Sequence, residues 1–153
     1  MRMQKQLAAV AAMAAAIVGS SASAANIACP KTPGDARILV QKLRRIGDGG
    51  CDGGMFVPCT PSTRYAPGAL RPYGLTPSSV SWEEGFNLSA GVLSFNLTVP
   101  KERAMAALRT ATGGACESIN SFSCSVRSVS SRSLRVQLEY PSTTVALVCR
   151  YWN

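Results

Sequence analysis

The sequence predicts an α+β domain in which an antiparallel sheet carries two helices and a long loop pinned by disulfides. Three observations predict it: strict alternation of apolar and polar residues in the second half of the chain, two amphipathic segments with helix-bounding residues, and a glycine- and proline-rich stretch that contains two cysteines. The chain has 153 residues, a length that fits one domain.

The first 24 residues have the organisation of a cleavable signal peptide. Arg2 and Lys5 precede an apolar run over residues 7–18, and the Ala-Ser-Ala sequence at residues 22–24 supplies a small-residue cleavage site. The run is shorter than the roughly 20 residues that a membrane-spanning helix needs. We therefore expect cleavage after residue 24 and a single disulfide-stabilised domain over residues 25–153. It would have no transmembrane segment and be periplasmic, secreted or on the cell surface.

The cysteines predict three disulfides, because an even number in an exported chain is typical of a disulfide framework. A zinc site is disfavoured, since the chain has no C-x-x-C pair and no histidine. Six cysteines allow fifteen pairings. Two spacings of eight residues, each with glycines just before its first cysteine, favour two local disulfides, and the last pair would tie the two ends together. The favoured pairs are Cys51–Cys59, Cys116–Cys124 and Cys29–Cys149.

A helix followed by a long loop is expected in the first half of the domain. Asp35 can cap a helix that runs to Ile46, and Gly47 can end it. The apolar face of this helix would consist of Ala36, Leu39, Leu43 and Ile46. Residues 47–79 contain seven glycines and five prolines. We expect this stretch to be a surface loop held by the Cys51–Cys59 disulfide.

From residue 80 onward the pattern is mainly that of strands. Residues 92–99 alternate apolar and polar side chains, which predicts a half-buried strand. Pro100 then begins a helix over residues 101–112 that Gly113 ends. Three more strands should form an antiparallel meander near residues 122–129, 134–140 and 144–151.

The acidic residues form no recognisable catalytic or metal site. Asp48 and Asp52 lack the further oxygen ligands of a calcium-binding loop. Glu83 and Glu84 are adjacent on a strand and should point to opposite faces, whereas glycosidase carboxylates face each other across a bond. Without histidine there is no Ser-His-Asp or Cys-His site. We therefore expect neither an enzyme nor a cofactor.

The basic charge is mostly arginine. Removing the signal peptide takes away Arg2 and Lys5 and lowers the formal charge from +8 to +6. The arginines are not interleaved with aromatic residues as in single-strand binders, so no specific nucleic acid is expected. A solvated basic face is one interpretation, and a surface for an anionic or protein partner is the other. The candidate interaction surface comprises Arg37, Arg44, Arg45, Arg127, Arg132 and Arg135.

Part of the sequence resembles the globular head of type IV pilins, especially the type IVb group. The resemblance lies in the Tyr-Gly-Leu-Thr-Pro sequence at residues 73–77, in the strand that runs into Pro100 and the helical residues 104–108, and in a closing strand that contains Cys149. It implies a disulfide that pins the C-terminal region to the sheet. The expected prepilin-peptidase site and long apolar assembly helix are replaced by an ordinary signal peptide, so the resemblance implies a soluble accessory or minor subunit.

Taken together, these features predict an exported, non-enzymatic subunit of a pilus-like, secretion or cell-surface assembly that acts through protein–protein binding. The alternative is a free periplasmic or secreted ligand-binding or inhibitor protein, or a small effector. Co-purification with an envelope complex would favour the first function, and a monomer without an envelope partner would favour the second.

Overall fold

An eight-stranded antiparallel sheet with two α-helices confirms the predicted α+β class. The computed structural model describes residues 25–49 and 61–153, so the predicted signal peptide and the predicted Cys51–Cys59 disulfide lie outside the described residues. The elements in chain order are β1 (Ala25–Ile27), α1 (Pro33–Gln41), β2 (Arg45–Gly49), β3 (Ser62–Tyr65), β4 (Leu70–Pro72), β5 (Pro77–Glu84), β6 (Gly91–Leu97), α2 (Lys101–Thr112), β7 (Cys116–Asn120), β8 (Ser123–Val126), a short 3-10 turn (Arg127–Val129), β9 (Leu134–Glu139) and β10 (Val145–Tyr151).

The strands of the large sheet lie in the order β2-β3-β5-β6-β10-β9-β8-β7, and every neighbouring pair is antiparallel. The short strands β1 and β4 form a separate parallel pair. The C-terminal strand β10 is therefore central, between β6 and β9, while β7 forms one edge of the sheet.

The core lies between one face of this sheet and the two helices. Strand β6 shows the predicted alternation, since Leu93, Phe95 and Leu97 are buried and the residues between them are half-buried. Helix α1 buries Ala36 and Val40, and α2 buries Ala104 and Leu108 in the same apolar cluster. One row of fully buried residues in register across the central strands consists of Val80, Phe95, Leu147 and Leu138, and a second consists of Leu93, Cys149 and Val136.

The first helix is shorter than the sequence pattern predicts. It ends at Gln41 instead of Ile46, and Thr32, not Asp35, is its cap, because the Thr32 side chain accepts the Asp35 N–H at 3.1 Å. Pro33 can begin the helix one turn earlier, where the missing N–H is not needed. The apolar periodicity predicted a longer helix because Leu43 packs against the core, although it lies between the end of the helix and the start of β2.

The expectation of a loop over residues 47–79 is wrong for much of that stretch. Its described part contains the end of β2, all of β3 and β4, and the start of β5. The prolines are compatible with strands here because Pro72 is the last residue of β4 and Pro77 is the first of β5, where no central ladder bond is lost.

The second helix and the C-terminal meander are as predicted. Helix α2 spans Lys101–Thr112, with Pro100 before it and Gly113 after it in the left-handed conformation at φ 72°. Strands β8, β9 and β10 pair in sequence. The sequence did not predict β7, which pairs with β8 at the edge of the sheet.

Two of the three favoured disulfides are confirmed. Cys116–Cys124 closes the β7–β8 hairpin, with a Cα–Cα distance of 5.3 Å. Cys29–Cys149 joins the segment before α1 to β10 across a sequence separation of 120, with a Cα–Cα distance of 5.7 Å. None of the helices in the described ranges is both long and apolar enough to cross a membrane.

Candidate protein-binding surface

Within residues 25–49 and 61–153, one face of the large sheet carries no α-helix. The side chains on this side of the four central strands are excluded from the apolar core cluster, which includes their sequence neighbours and the buried residues of both helices. We call it the open face. Its members in β5, β6, β10 and β9 are Ser79, Ser81, Glu83, Val92, Ser94, Asn96, Ala146, Val148, Arg150, Arg135, Gln137 and Glu139.

Two arginines lie directly opposite each other on the open face. Arg150 of β10 is in register with Arg135 of β9, an arrangement in which like charges destabilise a sheet. Their side chains have different partners. Arg150 Nη2 donates to Glu139 Oε1 at 2.9 Å, and the Arg135 guanidinium lies 5.5 Å from the centre of the Trp152 ring. Among the described residues, Arg135 has no carboxylate within ion-pair distance.

Part of the open face is closed by a polar network. Gln137 Nε2 donates to Glu139 Oε1 at 2.6 Å, and the same oxygen accepts from Arg150. Gln137 and Val148 are only 6% and 1% exposed although they lie on the helix-free side. The network therefore covers the sheet around Glu139 and leaves the region of Arg135 and Trp152 accessible.

Three adjoining concavities surround this accessible region. Their volumes are about 420, 370 and 290 Å³, and Arg135 lines all three. Trp152 lines the first two, and its backbone N–H is held by the Ser133 carbonyl at 3.2 Å. The first concavity reaches Phe86 in the β5–β6 hairpin, and the third reaches Phe122 in the β7–β8 hairpin. We call the three together the groove.

The β5–β6 hairpin presents two large apolar side chains to solvent. Phe86 is 90% exposed and Leu88 is 81% exposed. The turn that carries them is ordered by its own hydrogen bonds, because Asn87 Oδ1 accepts from the Ser89 N–H at 3.0 Å and Gly85 N–H donates to the Ala90 carbonyl at 3.2 Å. This is an Asx turn, a typical use of asparagine in a tight connection.

Helix α1 fixes the position of that hairpin through Arg37. Its Nε and Nη2 donate to the Glu84 carboxylate at 2.8 to 3.0 Å, and its Nη1 donates to the Leu88 carbonyl at 3.1 Å. Trp82 adds a hydrogen bond from Nε1 to Glu84 Oε1 at 2.6 Å and lies beneath the Arg37 guanidinium. The hydrogen bonds from Arg37 lower the pKa of Glu84, so the carboxylate stays ionised. We call these contacts the Arg37 brace.

The brace continues into the core. The rings of Trp82 and Tyr151 lie 6.1 Å apart, and the Tyr151 hydroxyl donates to the Pro30 carbonyl at 2.6 Å. Burial raises the pKa of the Tyr151 phenol, which keeps it protonated as a donor. Gly91 lies against the Trp82 ring, where a side chain would overlap the indole. The hairpin is therefore anchored to α1, to β10 and to the segment before α1.

The six arginines of the predicted interaction surface do not lie together. Arg135 is in the groove, and Arg127 borders it with its Nε 3.6 Å from Glu117 Oε2. Arg132 is exposed in the turn before β9, and Arg37 belongs to the brace. Arg44 and Arg45 lie at β2, the opposite edge of the sheet from β7, where Arg45 pairs with Asp48.

Sequence reasoning missed Phe86, Leu88 and Trp152. The sequence contained a signal for the first two, because they stand within the turn-forming sequence Gly-Phe-Asn-Leu-Ser. Large apolar side chains in a turn are not expected to reach the core. The expected opposite orientation of Glu83 and Glu84 is found: Glu84 joins the brace, while Glu83 is in register with Val92 on the open face.

Comparison with known protein families, with curated proteins and with solved structures found no match for this chain.

Proposed function

We propose that this chain is an exported, non-enzymatic subunit of a pilus-like, secretion or other cell-surface assembly, and that it binds a protein partner through the β5–β6 hairpin and the groove. The observation that carries the proposal is the exposure of Phe86 and Leu88 on a turn that the Arg37 brace holds in place.

Exposed apolar pairs on a rigid support are typical of binding surfaces. Burying a side chain of the size of phenylalanine or leucine in an interface contributes roughly 1.5–3 kcal/mol. A turn that is already ordered loses little conformational entropy on binding, so more of this free energy appears as affinity. The adjoining groove adds Trp152 and Arg135, residue types that dominate the energetics of many interfaces.

Export and membership of an assembly are supported by different features. The two disulfides, together with the signal-like residues 1–24, support export to an oxidising compartment. The pilin-like features of residues 74–149 support a surface assembly. The separation of Glu83 from Glu84 by the sheet supports a non-enzymatic function, because the two carboxyls do not face each other.

Photo-crosslinking in the native cell tests this proposal. Benzoylphenylalanine is placed at Phe86 and, as a matched control, at the exposed Arg109 of α2, which lies on the helical side of the sheet. We expect one defined protein to be crosslinked from position 86 and not from position 109. Equal products from both positions, or none from position 86, would contradict the proposal.

A double variant then measures the contribution of the hairpin. Phe86→Ser with Leu88→Ser should abolish the crosslink from a probe at Trp152, while the melting temperature should stay unchanged because both side chains are exposed. Ile38→Ser is the control, since Ile38 is an exposed apolar residue of α1 outside the groove. It should leave the crosslink intact.

A second candidate function, a free ligand-binding or inhibitor protein, is favoured by a different cavity. This cavity of about 740 Å³ lies between α2, β1 and the turn at Tyr73, and Ile27, Ala107 and Ala111 line it. Its size is that of small-molecule sites. Mass spectrometry of the protein purified from its native source would favour this function if a small molecule co-purified with a monomer and no envelope protein did.

A further inference from the structure

On the four central strands, one register row of the open face carries opposite charges at its two ends. The row runs across β5, β6, β10 and β9 through Glu83, Val92, Arg150 and Arg135. Neighbouring strands lie about 4.8 Å apart, so the two ends are about 14 Å apart. Arg150 is neutralised by Glu139, whereas neither Glu83 nor Arg135 has an ion-pair partner among residues 25–49 and 61–153.

Arg135 is arranged to receive an anion. Its guanidinium lies over the Trp152 ring, and this contact restricts the motion of the side chain. It lines all three concavities of the groove, and a guanidinium binds a carboxylate through two parallel hydrogen bonds. Between the charged ends, Val92 and the nearby Phe86 give the first concavity an apolar wall.

We propose that the groove binds an extended segment of the partner protein in which an acidic side chain meets Arg135, an apolar side chain contacts Val92 and Phe86, and a basic side chain meets Glu83. This inference rests on the proposed function and specifies the partner's chemistry. An extended chain advances about 3.3 Å per residue, so the acidic and basic side chains are about four residues apart.

The charge order argues against a polyanion as occupant. Nucleic acids, anionic lipids and sulfated glycans need a continuous cationic surface. Here the row ends in Glu83, Arg150 pairs with Glu139, and Arg127 lies near Glu117. A segment with both signs of charge fits this pattern, and a polyanion would place negative charge beside three carboxylates.

The test is an NMR titration of the isotopically labelled full domain with a blocked synthetic peptide in which a glutamate and a lysine, four positions apart, flank three residues of which the central one is apolar. We expect the Trp152 indole and the Arg135 amide signals to shift, while the signal of the buried Trp82 indole stays in place. A matched peptide with glutamine for glutamate should bind about tenfold more weakly.

Two variants test whether Arg135 is the arginine that binds the glutamate of the peptide. Arg135→Gln should weaken binding of the glutamate peptide about tenfold and abolish the difference between the two peptides. Arg132→Gln removes the same charge three residues away and should leave the affinity unchanged. Equal affinity for both peptides, shifts confined to the helical side, or tighter binding of heparin or phosphatidylglycerol vesicles would overturn the inference.

Failure of this inference and failure of the proposed function give different results. If position 86 crosslinks a protein partner but the peptide titration shows no charge dependence, the partner binds the hairpin by apolar contacts and the proposed acidic contact is wrong. If position 86 gives no crosslink, the proposed function itself is wrong.

Discussion

At the scale of single residues, the Arg37 brace shows how one half-buried arginine positions an exposed hairpin. Arg37 contacts both oxygens of Glu84 and the carbonyl of Leu88, so charged and neutral hydrogen bonds together join helix α1 to the β5–β6 hairpin. The Glu84 side chain is 49% exposed, which limits the contribution of this ion pair to stability. Its main effect is positional, since it fixes where Phe86 and Leu88 are presented.

Replacing Glu84 tests the brace and its dependence on pH. Because Arg37 holds the pKa of Glu84 below its ordinary value of 4.5, the stabilisation is present above the unfolded-state pKa and is lost as the pH falls through the folded-state pKa. Glu84→Gln should therefore lower the free energy of unfolding by about 0.5–1 kcal/mol at pH 7. The difference from the wild type should shrink below pH 4.5, as measured by urea denaturation.

The neighbouring residue supplies the control for this prediction. Glu83→Gln removes the same charge one position away, where no ion pair exists among the described residues, and should change stability little. Equal losses for the two variants, or a loss for Glu84→Gln that does not depend on pH, would show that the brace does not act through the carboxylate charge.

At the scale of secondary-structure elements, the hairpin depends on a close approach between strands. Gly91, the first residue of β6, leaves room for the Trp82 ring, and that ring in turn contacts Arg37 and Tyr151. The first residue of β6 must therefore be small, because Trp82 of β5 packs there against Tyr151 of β10. A side chain at this position would displace the indole from its partners.

Gly91→Ala should destabilise the domain by about 1–3 kcal/mol, because the added methyl group overlaps a ring in a packed environment. Gly47→Ala is the matched variant in β2, where the new methyl group would lie 3.7 Å from the Arg64 side chain, an ordinary contact. We expect that variant to be neutral or slightly stabilising. Similar melting temperatures for the two variants would refute the packing argument.

How far each element could be predicted depends on whether its signals are local. Helix α2 was predicted to the residue because Pro100 and Gly113 mark its ends in the sequence itself. Strands β3 and β4 could not be predicted from the sequence, because these short strands form by pairing with other strands. The prolines at their margins also resemble strand breakers. The site was harder to predict. Arg135 was named from the sequence, but its contact with Trp152 and its register pairing with Arg150 depend on the order of strands in the sheet.

At the scale of the whole molecule, the disulfide Cys29–Cys149 closes a ring that contains nearly all of the described elements. The sequence separation is 120 for this bond and 8 for Cys116–Cys124. In the chain-entropy model a longer closed loop restricts the unfolded chain more. Cys149 also lies in the centre of the sheet, so the bond anchors the N-terminal segment directly to the core.

Removing the two disulfides separately should therefore have unequal effects. Cys29→Ala with Cys149→Ala should cost about 4–5 kcal/mol, and Cys116→Ala with Cys124→Ala about 2–3 kcal/mol. The first variant removes two buried half-cystines and the second removes one, because Cys116 is only partly buried, so the loss of packing adds to the expected difference in the same direction. Thermal denaturation without reductant measures the difference, and a larger loss for the hairpin disulfide would contradict the loop-length argument.

The same ring determines how the domain would respond to mechanical force. If the chain is pulled from its two ends, tension passes from Cys29 to Cys149 through the covalent bond and bypasses the sheet and helices between them. The chain between these two cysteines cannot extend before a covalent bond breaks. The β5–β6 hairpin lies inside the ring and would be shielded from such tension, whereas Trp152 follows Cys149 and would be exposed to it.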